Sequence, residues 1–165
     1  MSPPPILLLK DIDLGDLNSL LFRYHLTLII SPLGQEIPGS FWGDEEAGLI
    51  QDQVYARLDT PVHSVFHESC HFVCMNQQRR SKLDTNAGGT ATEENAVCYL
   101  QILLAAESSF ICKNRMMQDM DSWGYSFRLG SAEAWFNTDA EETRQWLLKH
   151  RIVNETNNPT FNLRN

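Results

Sequence analysis

His67 and His71, with Glu68 beside the first of them, are the residues of this chain best suited by type and spacing to chemistry. Positions i and i+4 of an α-helix lie one above the other on a single face. The two imidazoles therefore address one point, which is the bite that a tetrahedral zinc ion requires. Glu68 is displaced around the helix but flanks the open side of such an ion. From there it can take a proton from a water whose pKa the ion has lowered. His63 stands one turn earlier and extends the stripe. It can contact substrate or steady a developing oxyanion, or simply be a polar residue near the helix start.

The helix that must carry these groups is marked at its start by Asp59-Thr60-Pro61, with Asp or Thr as cap and Pro61 in the first turn. It is expected to run to residue 78 or 80, where Arg79 and Arg80 suit the C-terminal dipole. Val62, Val65, Phe66, Ser69, Phe72 and Val73 form a separate, mostly apolar face that anchors it in a core. Cys70 and Cys74 share the histidine face and read as small buried residues rather than thiolate ligands.

Two histidines do not hold a catalytic zinc, so a third protein ligand is needed. The next carboxylates are Asp84, in a loop over residues 81–91, and Glu93 and Glu94, which open a second helix expected over residues 92–107. Glu93 shares a face with Ala96, Val97, Leu100 and Leu104 and so points inward. Glu94 points toward Cys98 and Gln101. Thr90 and Glu93 also read as a capping box, in which Glu93 serves only its own helix.

A motif helix His-Glu-x-x-His with only its glutamate charged, an apolar Val73 after it, and a glutamate opening a second helix about two dozen residues later resembles the zincin metallopeptidases of gluzincin type. The run Glu93-Glu94-Asn95-Ala96-Val97-Cys98-Tyr99, followed by Leu103-Leu104, resembles the second helix of the ImmA/IrrE-like peptidases, whose motif is Glu-x-x-Ala-Asn. Laid on this chain, the resemblance puts the third zinc ligand on Glu93 and the family's asparagine on Val97, a departure. It spans roughly residues 26–104. It implies a zinc-dependent hydrolysis of peptide bonds, with His67, His71 and Glu93 as ligands and Glu68 as general base.

Further elements follow from the pattern. Residues 11–21 suit a short helix or turn and residues 24–31 a buried strand ending at Pro32; residues 47–58 are long enough for a helix, but their short alternation favours a strand. That last segment is the candidate for an edge strand that binds a peptide by strand addition. Downstream, Trp123-Gly124-Tyr125 reads as a loop, and residues 131–136 and 139–151 as helices, with Asp139 and Glu142 matching a capping box. Tyr125 and Arg128 are the downstream candidates for oxyanion and substrate-carboxylate contacts. The asparagine-rich last dozen residues are expected to fray.

The chain has 165 residues, 42% of them hydrophobic and 21% charged, which suits a single domain. The net charge of −8 argues against nucleic acid as partner. The apolar run after the proline tract Pro3–Pro5 is too short to cross a membrane or form a signal-peptide core. Cys70 and Cys74, one turn apart, are awkward for a disulfide, which with the lack of a leader implies a cytoplasmic protein with reduced thiols. The expected fold is α+β, a minimal zincin-like domain: a small mixed sheet from residues before Asp59, the histidine helix and the glutamate helix packed on it, and C-terminal helices covering one side. The competing expectation is a structural zinc, or a silent zincin-like module that binds a protein partner.

Overall fold

The computed structural model describes residues 4–165, so the tract Pro3–Pro5 lies partly outside the described residues. The fold is mixed α+β. A short 3-10 turn leads into α1 (Leu14–Phe22), followed by β1 (Thr27–Ile30), β2 (Gly48–Ile50), β3 (Gln53–Ala56), α2 (Val62–Cys74) and α3 (Gln77–Arg80). Then come α4 (Ala91–Ala105), α5 (Lys113–Trp123), α6 (Ala132–Thr138) and α7 (Glu141–Lys149). All three strands precede Asp59, in the order β1-β3-β2, with β1 parallel and β2 antiparallel to β3.

Residues 47–58 form two strands rather than one, because Gln51 adopts a left-handed backbone (φ 52°) and turns the chain back as a hairpin. β1 is half-exposed rather than buried, since it lies at the sheet edge with Ile30 at the surface. The other edge, β2, is already occupied. Leu49 donates to the carbonyl of Gly39 and accepts from the amide of Thr85, while Gln51 donates to Leu83. A side chain at Gly48 would meet the Pro38 carbonyl at 1.9 Å, so the loop before β2 lies directly against it. The expected strand-addition edge is therefore filled by the chain's own backbone.

α2 is the centre of the molecule: every residue in it except His67 is buried. One side packs on β2 and β3 and another on α4, which in turn packs against α5 and α7. The glutamate-bearing helix thus packs on α2, and the C-terminal helices on that helix, rather than on the sheet. Pro61, in extended conformation, takes the cap position of α2. Thr60 and Asp59 serve Arg57 instead, whose backbone amide donates to Thr60 and whose guanidinium pairs with Asp59. α2 stops at Cys74, four residues earlier than the basic residues suggest, because Met75 turns to extended backbone and Asn76 caps the separate α3.

Residues 113–123 form a helix that the sequence pattern did not reveal, and Gly124 closes it with a left-handed φ of 108°. Ser131 caps α6 by accepting from the Ala134 amide. Asp139 does not cap α7, because Ala140 occupies that position and Asp139 pairs with Arg128. The last residues are not frayed. Phe161 packs 4.9 Å from the ring of Tyr24, and the Arg164 amide donates to the Val73 carbonyl. All four cysteines are free thiols. Among the described residues no helix is long and apolar enough to cross a membrane.

Candidate metal centre

His67 and His71 do share one face of α2, with ring centroids 4.8 Å apart. The carboxylate they meet belongs to Glu94. His67 Nε2 lies 2.9 Å from Oε1 of Glu94, and His71 Nε2 lies 3.2 Å from Oε2. Glu93 is buried, as its helical face implies, but its carboxylate is taken by two arginines. Arg79 binds it through two nitrogens at 2.7 and 2.9 Å, and Arg164 at 3.1 Å. Glu93, expected as the third ligand, therefore does not face the histidines: both its oxygens are held by guanidinium groups, and Glu94 takes the place opposite His67 and His71. Thr90 caps α4 by accepting from the Glu93 amide, so only the backbone half of the capping box forms. Asp84 is exposed, accepts from the Thr85 hydroxyl, and stays out of the cleft.

Glu94, Cys98 and Gln101 fall at i, i+4 and i+7 of α4 and form the stripe that faces the histidines. The ligand atoms of His67, Glu94 and Cys98 all lie within 4.8 Å of one another, and His71 joins through the second oxygen of Glu94. Gln101, fully buried, is the orienting group. Its Nε2 donates 2.9 Å to the buried carbonyl of His63, which fixes the amide so that Oε1 accepts from His67 Nδ1 at 2.9 Å. The proton of neutral His67 is thereby committed to Nδ1. Its Nε2 lone pair then confronts a carboxylate oxygen at hydrogen-bond distance, an arrangement that calls for a cation between them, either a proton or a metal ion. This donor set, imidazole nitrogens with a carboxylate and an oriented ring, fits a divalent metal such as zinc.

The electrostatics agree. Burial opposes protonation of His67, but Tyr125, Cys98 and Glu94 more than reverse this and hold it well above the usual range. Burial would raise Glu94, yet hydrogen bonds from His67 and His71 hold it far below the ordinary carboxylate range. Glu68 is 7% exposed and its carboxyl is pushed up by burial, partly offset by His67 and His71. It opens onto a cavity of about 240 Å³, together with both histidines, Glu94, Phe41 and Trp42, and onto an adjoining one of about 460 Å³. Burial also raises the Cys70 and Cys74 thiols; both are core residues.

The remaining candidates are less well placed. His63 is fully buried, its Nδ1 lies 3.1 Å from the Tyr125 hydroxyl, and its Nε2 has no hydrogen-bond partner. It cannot touch substrate, because the helix start that carries it lies under Trp123 and Tyr125. The ring of Tyr125 packs edge-on 5.4 Å from His67 and lines the larger cavity. Its hydroxyl, pushed up to about 12 by burial, is turned to His63 Nδ1 at 3.1 Å and Gln101 Nε2 at 3.4 Å. Arg128 is largely exposed and pairs with Asp139 in a separate depression that contains neither histidine. The candidate roles of Tyr125 as oxyanion donor and Arg128 as substrate contact are not assembled in this conformation.

Sequence reasoning passed over Gln101, Cys98 and Glu46. For the first two a signal existed, since a polar stripe at spacings of four and three opposite a histidine stripe marks a shared polar interface. Glu46 sits in an irregular loop and carries no such mark. No family model, no curated protein and no solved structure matches the chain.

Proposed function

We propose that the cleft between α2 and α4 is the centre of a zinc-dependent hydrolase acting on peptide bonds. The observation that carries this is the approach of His67 Nε2 and His71 Nε2 to the two oxygens of Glu94, with the other ring nitrogen of His67 committed to Gln101. His67, His71 and Glu94 would hold the ion. When bound, it supplies Lewis acidity and lowers the pKa of a water. Glu68, buried and open to the cavity, takes the proton from the attacking water and returns it to the leaving amine. Gln101 keeps His67 in the tautomer that offers Nε2. Peptide as the substrate class rests on the gluzincin resemblance of the histidine helix and of a glutamate opening the second helix, and the free thiols suit a reducing compartment such as the cytoplasm.

A second reading has its own observation. Cys98 stands in the donor cluster, so a thiolate can fill the position that catalysis needs open and make the site structural, as in a module that binds a protein partner.

Metal analysis of the purified chain is expected to find about one zinc per molecule. Glu68→Gln, nearly isosteric, is expected to keep the zinc and to lower hydrolysis of a peptide library by about 10²–10⁴-fold. A chain that stays folded and binds no added zinc overturns the metal centre. Unchanged hydrolysis removes Glu68 as the base.

A further inference from the structure

The larger cavity beside the histidines, about 460 Å³, has a wall that hydrolysis leaves unused. Glu46 sits on it, half-buried, with both oxygens fixed. Oε1 accepts from Trp123 Nε1 at 2.6 Å and Oε2 from the Ser64 hydroxyl at 2.7 Å. Ser64 is itself held by the Ala47 amide, so the carboxylate is rigidly placed. Both donors are neutral, and among the described residues no lysine or arginine lines the cavity. Glu68, nine-tenths buried, opens into the same space, and among the described residues no hydrogen bond holds its carboxylate. Much of the remaining wall is aromatic, from Trp42, Trp123, Tyr125 and Phe127, with Asn95, Cys98 and Ser126 between them. The charge of Glu94 is met by the two histidines, whereas among the described residues no salt bridge reaches Glu46. A fixed carboxylate beside aromatic faces lacks only a cation, which such a wall attracts through its ring electrons.

We propose that this cavity is a subsite for an alkylammonium or guanidinium group, bound by the Glu46 carboxylate against the aromatic wall of Trp42 and Trp123. Taken with the hydrolase reading of the adjoining centre, on which this step alone rests, the subsite selects substrates with a lysine or arginine side chain, or a free α-ammonium, next to the cleaved bond.

The test is a titration of the full chain followed through the indole N–H signals of Trp42 and Trp123. Nα-acetyl-lysinamide and Nα-acetyl-argininamide present only a side-chain cation, leucinamide only an α-ammonium, and Nα-acetyl-norleucinamide no charge. At least one cationic probe is expected to shift the Trp123 signal saturably while the norleucine probe does not, and the probes that titrate identify the source. Glu46→Gln is expected to weaken binding about tenfold or more. Trp42→Ala, at a position 72% exposed and so without a folding burden, is expected to weaken it as well. Equal binding of the neutral probe, unchanged affinity in both variants, or no titration by any probe overturns the subsite. Zinc content is measured on the same preparations. Titration without zinc binding overturns the hydrolase and leaves the subsite standing, and zinc binding without titration does the reverse.

Discussion

Oε1 of Glu94 stands 2.9 Å from Nε2 of His67, and the neighbouring Glu93, one residue earlier on the same helix, is turned about 100° away into an arginine pair. The two glutamates therefore answer to different experiments. Glu94→Ala is expected to leave the fold intact, because its side chain is about half exposed, and to weaken zinc binding by more than about a hundredfold. Glu93→Ala is expected to keep the metal site but to cost about 3 kcal/mol of stability. That is the low end for breaking a buried ion pair, since Arg79 and Arg164 partly reach solvent. Zinc affinity by competition with a chelator, alongside urea unfolding, separates the two. Loss of metal in the Glu93 variant with stability unchanged would restore Glu93 as the ligand.

That pair also shows how far the sequence could be read. Helical periodicity placed Glu93 inward and Glu94 on the face of Cys98 and Gln101, and both placements are observed. What periodicity could not supply was which inward face meets α2. That choice depends on Arg164, at the far end of the chain, and on Arg79, whose guanidinium groups neutralise Glu93. Local signals such as the helix expected over residues 131–136 and the histidine spacing carried over because they involve residues within one or two turns. The hairpin at Gln51, the helix over Lys113–Trp123 and the packed tail did not. The helix is amphipathic through methionines (Met116, Met117, Met120) among polar residues, and the tail is held by partners distant in the chain.

Cys98 decides between an open and a closed centre. Its sulfur lies within 4.8 Å of the ligand atoms of His67 and Glu94, so a modest shift can bring it onto the ion. Replacement of zinc by Co²⁺ reports this directly, because a thiolate bound to Co²⁺ gives an intense charge-transfer absorption and a carboxylate or imidazole does not. For a catalytic centre the expected spectrum lacks that band, and Cys98→Ser binds Co²⁺ as the parent does. A band that disappears in Cys98→Ser would establish the structural reading instead.

His63 gives the fold a pH dependence of defined sign. Burial, with a further contribution from His67, lowers its pKa from the ordinary 6.5 to about 3. The folded state therefore keeps His63 neutral where the unfolded chain binds a proton. Its contribution is fully present above about pH 6.5 and is lost as pH falls toward 3, at up to about 1.4 kcal/mol per pH unit. The groups around it are the Tyr125 hydroxyl, the Trp123 ring and His67. His63→Asn cannot titrate and keeps a polar atom near the Tyr125 hydroxyl. Unfolding free energies of parent and variant at pH 7, 6, 5 and 4 are expected to converge as pH falls. Parallel curves would show that His63 is protonated in the folded state.

Gln101 ties the tautomer of His67 to the backbone of its own helix, and its removal should be felt in two observables at once. In Gln101→Leu the His63 carbonyl loses its donor and His67 Nδ1 its acceptor, both in the interior between α2 and α4. Each buried group left unpaired costs about 1–3 kcal/mol, and freeing the ring orientation should weaken zinc about 10–100-fold. A purely structural glutamine would lower stability alone. Gln101→Glu separates the effects further. It keeps an acceptor for Nδ1 but loses the donor to the His63 carbonyl, so it is expected to be destabilised as the leucine variant is while retaining most of its zinc affinity. Equal loss of zinc in both variants would mean that Gln101 acts through packing, and that the His67 tautomer is set by Glu94 and the metal alone.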